Sequence, residues 1–233
     1  TVSVDLGGLS ASDFGAASDA GAFHLPTFVD GVDDGKDLTV TLDVADLGEL
    51  STAAGLRDDL SGAGFDNVQI NLADAGKDGS YQDDLNSLFD GDGKLNAELL
   101  NDLSAIRNVD VQSGVEQGLH VNTIDLGGPG AVGVVDINES QAGALIDAGL
   151  HFAAGDQITL QADTSAGTHL QNSLKELTKL GVDTVMVGGV ETVSVDLGGL
   201  SASDFGAASD AGAFHLPTFV DGVDDGKDLT VTL

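Results

Sequence analysis

Cysteine and tryptophan are absent from this chain, tyrosine occurs once, and proline three times. Without cysteine there is no disulfide framework and no thiolate metal site. Aromatic residues make up only 4% of the sequence, which counts against stacking on glycan rings. Basic residues are equally scarce, with eight Lys and Arg against 39 Asp and Glu, for a net charge of -31. Nucleic-acid binding depends on cations that neutralise phosphates, so no nucleic-acid partner is expected. Anionic membrane surfaces repel such a chain, and its apolar runs are far too short to span a bilayer. No membrane insertion is therefore expected.

Several chemical signatures are missing as well. There is no GxSxG elbow and no HExxH or HxH metal pair. The calcium-binding nonapeptide GGxGxDxUx is also absent. His24, His120, His151, His169 and His215 are scattered, and Asp58-Asp59 reads as a solvated helix face. The chain is accordingly expected not to be an enzyme. Gly128-Pro-Gly130-Ala-Val-Gly133 matches GxGxxG literally. A dinucleotide site needs those glycines to open a helix, whereas Val132 to Ile137 reads as a strand, so this is a turn.

What is present is a long exact repeat. Thr1 to Leu42 and Thr192 to Leu233 are identical, an offset of 191 residues. Structure alone does not preserve exposed positions such as Ser18, Asp19 and Lys36, where substitutions are nearly neutral. Recent duplication or homogenisation among tandem copies explains the identity; an artificially duplicated end is the alternative. We read residues 1–191 as one period and 192–233 as the start of the next, within a longer array. The copied segment carries seven Asp and one Lys, a net -6, which leaves -25 for one period.

Hydrophobic residues make up 41%, enough for a packed core. Strict alternation predicts strands at Leu38–Val44, Val68–Leu72, Ile158–Ala162 and Val193–Leu197. Val185-Met-Val187 and the pair Ile124-Asp-Leu126 and Val134 add further strands. Helical spacing predicts helices at Leu50–Ala63, Leu95–Ile106, Asn138–Ala153 and Thr168–Leu180, with a weaker one at Ser10–Phe23. Asn138 with Gln141 reads as an N-terminal capping pair. Residues 73–95 break the rhythm and read as an inserted loop.

Alternating strands and helices imply α/β architecture with parallel strands. Each strand has one apolar and one polar face, unlike the continuous apolar runs of a doubly wound sheet. The expected fold is therefore an open-faced α/β solenoid of repeating strand-helix units with a polar exposed sheet face. Compact two-layer α/β domains strung as beads are the alternative.

Candidate metal ligands lie in acidic turns. Asp90-Gly-Asp92-Gly-Lys-Leu-Asn96-Ala-Glu98 resembles part of an EF-hand or dockerin-type calcium loop, with oxygen ligands at alternate positions, a glycine turn and a following helix. Taking Gly93 as the loop glycine puts Leu88 and Leu99 at two ligand positions, so a full EF-hand is excluded. Asp30, Asp33, Asp34 and Asp37 crowd the turn before a strand, and Asp74, Asp78, Asp83 and Asp84 crowd the insertion. Calcium is the cofactor these turns suggest.

The exact long repeat, the acidity and the lack of cysteine together resemble the giant repetitive surface proteins and adhesins of bacteria. The resemblance implies export to the cell surface, frequent calcium dependence, and a role as stalk, extender or filament. Expected partners are neighbouring identical repeats, with self-association into filaments. A calcium-dependent adhesive module for a glycan or another cell surface is the alternative.

Overall fold

In a computed structural model of the chain, the described residues are 2–3, 39–44, 55, 57–72, 81–108, 118–126, 132–162, 169–188, 192–201, 204, 216–222 and 229–232. The alternating segments form strands. These are β1 (Val2–Ser3), β2 (Thr39–Val44), β3 (Asn67–Leu72), β4 (His120–Asp125), β5 (Val134–Asn138) and β6 (His151–Phe152), followed by β7 (Gln157–Ala162), β8 (Thr184–Val187), β9 (Thr192–Ser194), β10 (Thr218–Asp221) and β11 (Thr230–Thr232). Every pairing between them is parallel. One sheet runs β1-β2-β3-β4-β6, a second β10-β8-β7-β5, and a third β11-β9. From β4 to β7 the chain alternates between the first two sheets. The architecture is mixed α/β with parallel sheets, as the strand-helix rhythm implies.

Five helices accompany the strands among the described residues: α1 (Arg57–Gly62), α2 (Tyr81–Ser87), α3 (Ala97–Arg107), α4 (Glu139–Asp147) and α5 (Leu174–Leu180). Their apolar stripes meet the apolar strand faces in one buried cluster. Leu99, Leu103 and Ile106 of α3, Leu145 of α4 and Leu174, Leu177 and Leu180 of α5 join Val68, Ile70, Ile124, Ile137, Ile158, Leu160 and Val185 there. Burying each such side chain stabilises the fold by roughly 1.5–3 kcal/mol. Both arginines of the chain reach helix ends. Arg57 donates to the Ala105 carbonyl at 3.0 Å and Arg107 to the Ala148 carbonyl at 2.7 Å. Those carbonyls carry the negative end of a helix dipole, where a cation is favoured.

Element ends follow local chemistry, and here the structure corrects several boundaries. The Asn138–Gln141 capping box forms as expected. The helix it opens stops at Asp147 rather than running to Ala153, because Gly149 turns left-handed at φ 68°. His151-Phe152 then forms β6. The Thr168–Leu180 segment is helical only from Leu174, where Ser173 and Glu176 make a second capping box. Before it, Leu170 is buried and its N–H donates to the Ser194 carbonyl. The insertion at 73–95 is not wholly a loop, since it contains α2 and an antiparallel bridge between Phe89 and Leu95. The Ser10–Phe23 segment lies outside the described residues. The polar strand faces are less open than alternation implies. Thr39, Gln69, Thr159 and Gln161 are half-buried, whereas Thr41 and Asn71 are only 1% and 7% exposed.

Candidate functional site

A polar cleft of about 760 Å³ opens where β4 and β6 end beside the starts of β7 and β8. Strand register builds its floor. Gln69, Thr123 and His151 are consecutive partners on neighbouring strands, and Asn71 pairs with Asp125 one step further on. Gln69 Nε2 donates to Asp125 Oδ2 at 2.7 Å. Thr123 Oγ1 lies 2.9 Å from Asn122 Oδ1 and 3.3 Å from His151 Nε2. Burial lowers the His151 pKa, partly opposed by a backbone hydrogen bond with Asn122.

The rim is held by two aspartates that each precede a strand. Asp156 accepts from Leu126 N at 3.1 Å and Gly133 N at 2.9 Å. Burial raises the Asp156 pKa, the two backbone donors oppose this, and the nearby Asp125 and Asp183 charges add to the rise. Gly133 permits the close approach, since a Cβ there would lie 2.3 Å from Leu126 Cβ. Asp183 Oδ2 accepts from Ile158 N at 2.9 Å. Thr178 and Lys179 complete the lining.

These bonds turn the three carboxylates toward backbone N–H groups or an amide. No group of three His, Cys, Asp or Glu that could hold a metal occurs among the described residues. The cleft can offer hydrogen bonds and a negative field to a polar ligand.

The calcium-loop candidates sit elsewhere. Asp90 Oδ1 accepts from Asp92 N at 2.9 Å and Lys94 N at 3.0 Å, closing the turn between Phe89 and Leu95. Asn96 Oδ1 accepts from Glu98 N at 3.0 Å and caps α3. Asp92 and Glu98 are exposed. A smaller cleft of about 390 Å³ separates this turn from the start of α4. Two carboxylates line it: Asp92 is exposed, whereas Glu139 is buried and accepts from Gln171 N at 2.6 Å. Asp83 and Asp84 open α2. Asp30, Asp33, Asp34 and Asp37 lie outside the described residues, as do Asp74 and Asp78. The segment after Gly133 is strand β5, consistent with a turn rather than a dinucleotide loop; Gly128 and Gly130 lie outside the described residues.

Sequence reasoning passed over Asp156 and Asp183. The signal was an aspartate just ahead of a strand and just after a glycine, as in Gly155-Asp156-Gln-Ile158 and Gly181-Val-Asp183-Thr-Val185.

No protein-family model, curated protein or solved structure matches this chain. Among the described residues, no helix is long and apolar enough to cross a membrane.

Proposed function

We propose that this chain is one period, and the start of the next, of an acidic tandem array that acts as a non-enzymatic stalk, extender or filament subunit at a cell surface. In this reading the array is an open α/β solenoid, and each repeat's partner is its identical neighbour.

One observation carries the reading. The two copies of the repeated segment pair their strands in the same register. Val2 pairs with Val40 and Ser3 with Thr41; 191 residues later, Val193 pairs with Val231 and Ser194 with Thr232. The second copy is also joined to the period before it. β10 pairs with β8, His169 bridges Ser194, and Leu174 N donates to the Asp196 carbonyl at 2.8 Å. Val193 and Val195 are buried. A repeat that packs on its predecessor in this way extends a structure instead of hanging from it.

The reading predicts a length. The first sheet runs from β1 through β2, β3 and β4 to β6, and His169 bridges Ser194 of the copied strand β9. In the proposed solenoid the His169 segment follows β6, which puts six strand spacings between β1 and β9. Six strand spacings of about 4.8 Å add about 30 Å per period. A compact bead of 191 residues has a radius of gyration of about 16 Å, hence a diameter of about 40 Å before any linker. Electron microscopy of chains with two, four and six periods measures the increment. An increment of about 30 Å in a continuous rod supports the solenoid, and separated particles at 40 Å or more would overturn it.

The polar cleft favours a second reading, a binding module for a glycan or another cell surface, with calcium proposed at the acidic turns and not in the cleft. Glycan binding in calcium that is lost in Gln69→Ala would establish it. Absence of binding on a broad glycan array would remove it.

A further inference from the structure

We propose that the polar cleft at the ends of β4 and β6 binds an amino sugar: the carboxylates of Asp125, Asp156 and Asp183 draw its protonated amine, while Gln69 and Thr123 hydrogen-bond its hydroxyls. This deepens the binding-module reading of the cleft and rests on it.

Topology makes the crevice. After β4 and again after β6 the chain leaves the first sheet for the second. The cleft therefore opens at the carboxyl ends of parallel strands, where α/β sheets commonly hold ligands. Its volume of about 760 Å³ suits a small molecule, since such sites span about 300–1,000 Å³. Among the described residues its one phenyl ring, Phe152, is buried and offers no face for stacking on a sugar. Affinity has to come from charge and hydrogen bonds.

Charge selects the class of ligand. Among the described residues the lining holds three carboxylates against one ammonium, Lys179, and burial favours the uncharged form of His151. The carboxylates act on one another, since the Asp125 and Asp183 charges both push the Asp156 pKa up. A cation placed among them relieves that repulsion. Each carboxylate already accepts from an N–H, so it acts through its field more than by coordinating a bare ion. An organic ammonium brings three N–H donors of its own and needs no fixed coordination shell. On the floor, Asp125 takes the Gln69 Nε2 donor, which leaves Gln69 Oε1 as an acceptor. Thr123 is its register partner, about 4.8 Å away on the next strand. Hydrogen-bonding groups at that spacing meet the several hydroxyls of a sugar ring, whereas a bare alkylamine leaves them unmet.

Chemical-shift titration of the full chain tests this with glucosamine, with glucose and N-acetylglucosamine, which carry no charge, and with methylamine, which carries no hydroxyl. Glucosamine should bind about fivefold tighter than the neutral sugars, the upper range for one exposed ion pair, and tighter than methylamine. Equal binding of the three sugars would overturn the proposal and leave a neutral-glycan module standing. Equal binding of methylamine would overturn the sugar assignment. Binding by none of the four would also overturn it, and the module reading then rests on the glycan array. Lys179→Gln removes the competing cation and should tighten glucosamine binding about fivefold, a gain that damage to the fold does not produce. Lys94→Gln lies outside the cleft and should change nothing. The same gain from both would place the ligand on the acidic surface at large and overturn the cleft assignment. Asp183→Asn keeps an acceptor for Ile158 N and removes one charge. It should weaken glucosamine binding about fivefold, and undiminished binding would overturn the role given to the carboxylates.

Discussion

Asp156 ties together three stretches of chain with one carboxylate. Its two oxygens accept from Leu126 N just after β4 and from Gly133 N just before β5, while its own position opens β7. Asparagine is nearly the same shape but has one acceptor oxygen. Asp156→Asn therefore sets an amide NH₂ against a buried N–H and leaves that donor unsatisfied. The expected loss is about 1–3 kcal/mol, read from urea unfolding at neutral pH; an unchanged midpoint would mean the bracket is dispensable. His151 sets a pH dependence nearby. Burial lowers its pKa in the folded state, so the folded chain takes up its proton less readily than the unfolded chain. The stability it contributes is present above the ordinary imidazole value and is lost as pH falls through the lowered one. His151→Gln should flatten the decline in unfolding midpoint between about pH 7.5 and 5.5, where imidazoles titrate. A decline as steep as in the parent chain would assign it to other groups.

At the scale of elements, α2 protects a strand edge. Among the described residues β5 ends the second sheet, and the Gln82 side chain meets it as a strand would. Gln82 Oε1 accepts from Asp136 N at 2.7 Å and its Nε2 donates to the Asp136 carbonyl at 2.8 Å. Gln82→Ala should cost about 1 kcal/mol and, by opening that edge, raise concentration-dependent association measured by light scattering. No change in either would show that the edge needs no cover. The sequence made some of this architecture legible. Period-two alternation located the long strands because their apolar residues pack one face against the core. The Asn138 capping box was readable because both partners lie within four residues. Alternation did not reveal β6, which has two residues and owes its place to pairing with β4. α2 was hidden because a single buried leucine, Leu85, anchors it. The cleft was hidden for a related reason. Gln69, Thr123 and His151 are distant in sequence, and only strand register makes them neighbours.

At the scale of the whole molecule, charge opposes the packing that burial drives. Only eight Lys and Arg face 39 acidic residues, and Arg57 already pairs with Asp58 at 2.8 Å. Repulsion among exposed carboxylates is screened over about 8 Å at physiological salt. Raising sodium chloride from low to physiological concentration should therefore raise the melting temperature. Calcium tests something more specific, the proposal that acidic turns such as Asp90–Glu98 bind a cation. Calcium sites of extracellular modules have dissociation constants of about 0.1–1 mM. At a hundredfold excess, one such site adds about 2.7 kcal/mol, which is several degrees of melting temperature. The comparison is thermal unfolding in calcium against sodium at matched ionic strength, with chelator as the baseline. A rise beyond that of sodium is expected under the proposal, and equal curves would leave the turns as solvated connections. Asp90→Ala needs care as a probe, because it also removes the acceptor for Asp92 N and Lys94 N. That loss lowers the melting temperature in chelator as much as in calcium. The calcium-dependent increment is therefore the readout. If it vanishes in Asp92→Ala, whose side chain is exposed and is not the acceptor that closes the turn, a cation sits at this turn. If it persists there, the ion binds elsewhere on the acidic surface.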